Sequence, residues 1–373
     1  MVGAPRDAPA TPALLLDLPR VDRNIAEMAR RMAGLPAALR PHAKVHKSPV
    51  LARRQIAAGA IGITTANVWE ASALLDDGID EVLIANQVVG PVKAAELARI
   101  AGLGHVLVAV DDAANVDQLA GAAVAAGTEI GVLVELDVGL HRAGVRGIEP
   151  AVALGAGVAE RPGLKLAGLL GYEGHCMLEP DRALRISKAQ AANDLLIGAA
   201  DAFDRAGLCT DIVAGGGLGT WDITGANPRF TEIHAGTFVF MDAFHARLVP
   251  GFEVALTVLG TVISRAGDTA VLDCGRKAFG LDRGLPEIVG GVASVHFDHG
   301  EHGVHEEHLV LDLPAGSELA VGDRIELAPS YAPTTVNLYD MYYVVDDARI
   351  VDVWPILGRY GSQSAGVGPP AAA

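Results

Sequence analysis

The sequence is poor in cysteine. Only Cys176, Cys209 and Cys274 occur in 373 residues, far apart and without a C-x-x-C pair. An odd, scattered set argues against a disulfide framework and for reduced thiols, so a cytoplasmic location is expected. Long apolar runs are also missing: no stretch reaches the 18 residues of a membrane-spanning helix. The first twenty residues hold a short LLL followed at once by Asp17, without the charged-apolar-small layout of a signal peptide. Basic residues are outnumbered 45 to 29, a net charge of −16, and form no stripe. Nucleic acid and anionic membrane are thereby poor partners, although a local basic pocket for a small anion is not excluded. Aromatics make up only 5%.

What is present is apolar and small. Half the residues are hydrophobic, 44 are glycine, and the mean hydropathy is +0.32. That supplies a large core and excludes disorder for the bulk of the chain. At roughly 150 residues per domain, two domains are expected.

Periodicity divides the chain near residue 250. Before it, short apolar or β-branched runs at 38–44, 61–65, 81–85, 105–110, 129–135, 164–172, 210–214 and 233–240 alternate with helical patterns. The helical patterns cover 21–32, 48–59, 68–77, 91–101, 113–126, 149–159 and 180–206. Eight strands alternating with helices predict an α/β fold, a (β/α)8 TIM-like barrel, with a doubly wound open sheet as the rival. After it, runs at 254–264, 269–273, 287–295, 308–311, 324–327, 341–345 and 349–353 predict a C-terminal β domain. The expected segments are 12–248 for the barrel and 249–373, with residues 1–11, for the β domain.

Chemistry-bearing residues gather at the expected C-terminal ends of the barrel strands, where barrels place catalysis. RPHAKVHK, residues 40–47, follows the first strand. Lys44 there can form a Schiff base with a carbonyl compound once a desolvated, cationic setting frees its amine. A basic surface loop has the same composition. The run AGGGLGT, residues 214–220, follows the seventh strand. Its glycines let the backbone approach an anion and Thr220 adds a hydroxyl, in the region where barrels bind phosphate. A flexible turn also reads this way. Glu135, Arg142, Tyr172 and His175 stand at further strand ends, where rim ion pairs are the competing explanation.

Together these stretches resemble the D-threonine aldolase and D-serine dehydratase family, whose barrel is of the alanine racemase type and whose cofactor is pyridoxal 5′-phosphate (PLP). The resemblance runs nearly end to end, through RPHAKVHK, GITTANVWEA, VELDVGLHRAGV, GYEGH, AGGGLGTWDIT, EIHAGTFVFMD and PSYAPTTVNLYD. It implies that Lys44 is the Schiff-base lysine and that Gly215, Gly216, Gly217, Gly219 and Thr220 hold the phosphate. It further implies that Arg142 lies beside the phenolic oxygen and Tyr172 near the ring. His234 and Phe238 stand where the family has Gln and Tyr. Related enzymes set each β domain against a neighbouring barrel, so a homodimer acting on a small amino acid is expected.

The sequence departs from the family at 329–337. The resemblance implies a His and a Cys or Asp there as ligands of a divalent metal; this chain has Tyr331 and Pro333. Proline offers no ligand side chain and neutral tyrosine is a poor one, so the usual metal site is expected to be absent. A His-rich stretch (His296, His299, His302, His305, His308) is a possible substitute and equally a solvated hairpin. Without the metal a side chain must take the substrate's β-hydroxyl proton: Tyr331, if a cation lowers its pKa, or His175, His234 or His46. The expected activity is a PLP-dependent lyase cleaving or forming the Cα–Cβ bond of a D-β-hydroxy-α-amino acid. A racemase or epimerase with Lys44 and Tyr331 as its two bases is the alternative. A non-catalytic PLP-binding protein is a further one, and a β-eliminating dehydratase is the least favoured.

Overall fold

The structure, a computed structural model, describes residues 1–177, 179–289 and 303–359. They form two compact units, Met28–Gly236 with the residues from Leu357, and Met1–Glu27 with Thr237–Ile356.

The first unit is built on eight parallel strands. Seven of them pair in chain order, Ile63–Thr65, Glu81–Gln87, His105–Val110, Ile130–Glu135, Leu164–Leu170, Ile212–Gly215 and Glu232–Ile233, and Glu232–Ile233 then pairs with Ala38–Leu39. The remaining gap, between Ala38–Leu39 and Ile63–Thr65, is spanned by an isolated parallel bridge, His42 to Thr64. There the Thr64 N–H donates to the Pro41 carbonyl at 2.9 Å. This is the expected barrel, with a ladder reduced to one bridge at that seam. Strands such as HVLVAV and IGVLVE have no polar alternation because both faces are covered. Leu83, Leu107, Ala109, Leu133, Leu170 and Ala214 form an apolar cluster. Helices fall between the strands where turn chemistry permits. Ala113–Ala126 starts at Asp112, whose carboxylate accepts the N–H of Ala114 and Asn115, and stops at Gly127 with φ of 67°.

The first and last barrel strands are shorter than the sequence predicts. The run at 38–44 stops at Leu39 and continues as a 3-10 turn, Ala43–Val45; the run at 233–240 gives only Glu232–Ile233 and a second such turn, Thr237–Val239.

The second unit is a mixed sheet in the order Glu287–Ile288, Arg324–Ala328, Leu256–Ala266, Ala13–Asp17, Met341–Asp346, Arg349–Pro355. Thr269–Leu272 branches from Leu256–Ala266, and Leu309–Asp312 pairs with Thr269–Leu272. Ala13–Asp17 lies within the 12–248 segment of the sequence reading, yet it pairs here, antiparallel to Leu256–Ala266 and parallel to Met341–Asp346. Its three leucines explain this: a strand central in a sheet and buried on both faces needs an unbroken apolar run. Of the strand expected at 287–295, Glu287–Ile288 is observed and the part from 290 lies outside the described residues.

Candidate active site

The site grows from the loop after Ala38–Leu39. Arg40 is buried, and its guanidinium grips Glu232 through Nε (3.1 Å) and a terminal nitrogen (3.0 Å), with Glu81 at 3.1 Å on its other side. Glu232 also meets His234 Nε2 at 3.0 Å. Burial alone would raise the Glu232 carboxyl; the bonds from His234 and Arg40 outweigh it and pull the group down to about 2. This buried charge group holds the root of the loop.

The next residues sort themselves by partner. His42 accepts the Lys44 N–H on Nδ1 at 3.4 Å, and burial, then the charges of Lys44 and His234, keep its ring neutral. His46 is completely buried. Its Nδ1 accepts the Ser48 N–H at 3.1 Å, so the proton sits on Nε2 facing Gln55 Oε1 at 3.2 Å. Burial pushes it to about 4. A ring engaged at both nitrogens is a strut, so the expectation of His46 as a possible base is corrected. Lys47, at φ 48°, forms a buried ion pair with Glu70, whose other oxygen accepts the Ala66 N–H at 2.8 Å. Lys44 differs from Lys47: among the described residues its Nζ makes no hydrogen bond or ion pair, and it faces the Tyr172 ring 5.9 Å from the centroid. Burial, then the charge of Arg142, lowers the Lys44 amine to about 8, against a weaker pull from Glu70.

Arg142 comes from the loop after Ile130–Glu135. Asp137 ties that loop by accepting the N–H of Gly139 (3.0 Å) and of His141 (2.9 Å), with His141 Nδ1 at 2.9 Å. Gly139 and His141 both take positive φ, 114° and 55°. The loop delivers the exposed Arg142 guanidinium to 5.7 Å from the same Tyr172 ring. Glu135 lies 4.0 Å away, its carboxyl raised by burial against a hydrogen bond from Gln87.

Tyr172, Glu173 and His175 follow Leu164–Leu170. Among the described residues His175 Nδ1 is buried with no hydrogen-bond partner, and the ring lies against Gly139, where an added Cβ would stand 3.2 Å from its Cε1. The glycine run closes the site from Ile212–Gly215. Gly216 needs its positive φ of 72°, and a Cβ on Gly217 would stand 3.4 Å from Tyr172 Cε2 and 3.1 Å from Met177 Sδ. Lys44, Arg142 and Gly217 therefore all adjoin the Tyr172 ring. Sequence reasoning assigned no role to Glu173, a carboxylate buried behind the glycines and bonded to Gly216, Thr220 and Thr224. Only its place in GYEGH marked it.

In the second unit Tyr331 caps the short helix Ala332–Val336. Its ring stacks on His245 (6.0 Å, 26°), with Arg283 5.6 Å from the ring centroid. His245 Nδ1 meets Asp242 Oδ1 at 2.8 Å, and the other Asp242 oxygen accepts the Ala332 N–H at 3.0 Å. A cation near Tyr331 is thus present. Burial nonetheless raises the phenol; Arg283 opposes the rise and Asp242 and Asp282 add to it. Phe238 is buried against Phe252 at 6.1 Å. Of the His-rich stretch, His296, His299 and His302 lie outside the described residues, and the His305 N–H donates to the His308 carbonyl at 2.9 Å. Among the described residues no group of three or more His, Cys, Asp or Glu side chains is arranged to hold a metal ion. No helix there is long and apolar enough to cross a membrane.

Comparison with known proteins matches residues 16–242 to the family of the alanine racemase N-terminal domain, and residues 255–345 to a serine dehydratase domain family. The D-threonine aldolase of Arthrobacter sp. is 36% identical over 94% of this chain and 92% of its own length. The 3-hydroxy-D-aspartate aldolase of Paracoccus denitrificans is 33% identical over the same shares. The crystal structure of the D-threonine aldolase from Filomicrobium marinum superposes with a TM-score of 0.91 at 34% identity, covering 98% of this chain and 99% of that one.

Proposed function

The chain belongs to the alanine racemase N-terminal-domain family of fold-type III, PLP-dependent enzymes, and from that membership we propose that it is a lyase of the D-threonine aldolase type. Its substrate class is a D-β-hydroxy-α-amino acid, whose Cα–Cβ bond it cleaves or forms. The names of the 33–36% identical relatives support this class.

The residues present fit the cofactor. An unpaired amine, a cation and an aromatic face meet at Lys44, Arg142 and Tyr172, and side-chain-free backbone at Gly217 adjoins them. We assign the aldehyde to Lys44, the ring region to Tyr172 and Arg142, and the phosphate to the backbone of the glycine loop after Ile212–Gly215. When bound, PLP supplies the electron sink for the broken bond. The chain must itself accept the β-hydroxyl proton, and a positioned base contributes roughly 10²–10⁴-fold. His175, with a buried nitrogen free of partners, is the acceptor we propose. Tyr331 replaces a family metal ligand; burial holds its phenol protonated, which favours His175 over Tyr331 as the base and gives no support to a two-base racemase.

The observation that carries the reading is the contrast between the two lysines of one loop. Lys47 is ion-paired with Glu70, and Lys44, without an ion pair among the described residues, stands with a lowered pKa before Tyr172. The experiment is a panel of D- and L-β-hydroxy amino acids, with and without EDTA, followed for aldehyde. Aldehyde from D-substrates alone supports the proposal. Solvent deuterium at Cα with no aldehyde makes the enzyme a racemase, and a cofactor band with no turnover makes it a carrier. The expected homodimer and cytoplasmic location belong to the same proposal. Light scattering on the purified protein and cell fractionation test them.

A further inference from the structure

Resting on the reading of a phosphate-bearing cofactor, we infer that Glu173 is a positioning residue that shapes the glycine loop for the phosphate, and that Thr220 serves Glu173 rather than the anion. The Glu173 side chain is 1% exposed and carries three donors. The Gly216 N–H reaches Oε2 at 3.0 Å, and the hydroxyls of Thr220 and Thr224 both reach Oε1 at 2.7 Å. These partners lie 43 to 51 positions away, so one carboxylate ties the turn after Leu164–Leu170 to both ends of the loop after Ile212–Gly215.

The proton count decides the role of Thr220. A hydroxyl has a single proton to give, and Thr220 gives it to Glu173. Its oxygen then accepts the Gly217 N–H at 3.2 Å. Thr220 is therefore spent inside the loop. The Gly216 and Gly217 N–H groups are spent with it, on Glu173 and on Thr220. Among the described residues the Gly219 N–H faces only the Met177 sulfur at 3.3 Å, a weak acceptor that an anion displaces. The phosphate donors are thus the backbone N–H groups around Leu218 and Gly219, held in a preformed concavity. A buried carboxylate behind a phosphate site repels the anion. It is tolerable there because three donors satisfy it, and its gain is geometric.

The test compares PLP with pyridoxal, which lacks the phosphate, by absorbance titration of the cofactor-free protein. Glu173→Gln keeps the shape but cannot accept all three donors. It is expected to raise the Kd for PLP on the order of tenfold and to leave that for pyridoxal unchanged. Thr220→Val is expected to add little in the Glu173→Gln background, because it acts through Glu173, and Thr220→Ser to behave as wild type. A parallel loss for both ligands makes Glu173 a general core residue and overturns the inference, as does an unchanged ratio. Additive losses in the double variant return Thr220 to direct contact with the phosphate and overturn that half. Should Glu173→Gln fail to fold, Thr224→Val removes one donor and is held to the same ratio. Wild-type protein that binds PLP no better than pyridoxal overturns the inference alone; wild-type protein that binds neither overturns the functional proposal as well.

Discussion

Lys44 and Tyr172 face each other at 5.9 Å, ammonium over ring, and the Arg142 guanidinium stands 5.7 Å from that same ring. A ring can attract both cations, but the cations repel each other. The removable proton is the one on Lys44, and burial acts in the same direction.

This sets the pH profile of cofactor capture. With the Lys44 amine at about 8, its reactive neutral fraction rises tenfold per pH unit below that point and then levels. The rate of PLP uptake by cofactor-free protein is expected to follow that curve. Arg142→Ala removes a charge that lowers the amine, so its curve should move to higher pH. Lys44→Ala should leave peptide 40–47 without label after borohydride. Label that persists in this variant removes Lys44 from the chemistry.

The Arg40–Glu232–His234 group makes a stability prediction. Glu232→Gln leaves Arg40 buried with only Glu81 to pair it. The expected loss is about 3 kcal/mol in urea unfolding, at the low end for breaking a buried pair because Glu81 remains. The sign with pH follows from the carboxyl lying near 2 in the fold. Its stabilisation is complete above the ordinary carboxylate range and drains away as pH falls toward 2. Wild type and variant should therefore converge in acid. A gap of the same size at pH 7 and pH 2.5 would show that Glu232 acts through packing alone.

Much of this was legible in the sequence, for identifiable reasons. Ala113–Ala126 carries a cap at Asp112 and a stop at Gly127, so local chemistry sets both ends. Ala13–Asp17 carries only LLL, which has no period, and its antiparallel partners lie 240 to 246 residues away. The first barrel strand is shorter than the 38–44 run predicts, because Pro41 has no N–H for a ladder and the chain turns at Ala43. In the site, residue type and strand-end position pointed to Lys44, Arg142 and Tyr172. Which of two nearby lysines was free depended on Glu70, and the loop's anchor depended on Glu173 meeting Thr220 across 47 positions. Such pairings are set by the barrel's closure and leave no local signature.

The base role proposed for His175 separates proton transfer from binding. Its Nδ1 is buried without a partner beside Gly139, so removing the ring deletes no hydrogen bond at that nitrogen. His175→Ala is expected to lower aldehyde release roughly 10²–10⁴-fold, the usual contribution of a positioned base, with cofactor affinity within about twofold of wild type. An activity change no larger than that in cofactor affinity would leave the β-hydroxyl proton to another group.

Tyr331 and Pro333 carry the prediction about metal. A ligand pair of proline and protonated tyrosine offers a divalent ion nothing comparable to imidazole and carboxylate, so chelator is expected to leave aldehyde release within about twofold. Tyr331→Phe keeps the ring that stacks on His245 and removes only the hydroxyl. If the phenol handles a proton, the variant should lose on the order of 10²-fold or more in turnover while its unfolding midpoint stays in place. If the ring only packs, turnover and midpoint should both hold. Activity abolished by EDTA and restored by a divalent ion would contradict the metal-free reading, and residues 296–308, part of which lies outside the described chain, would then be the place to seek the ligands.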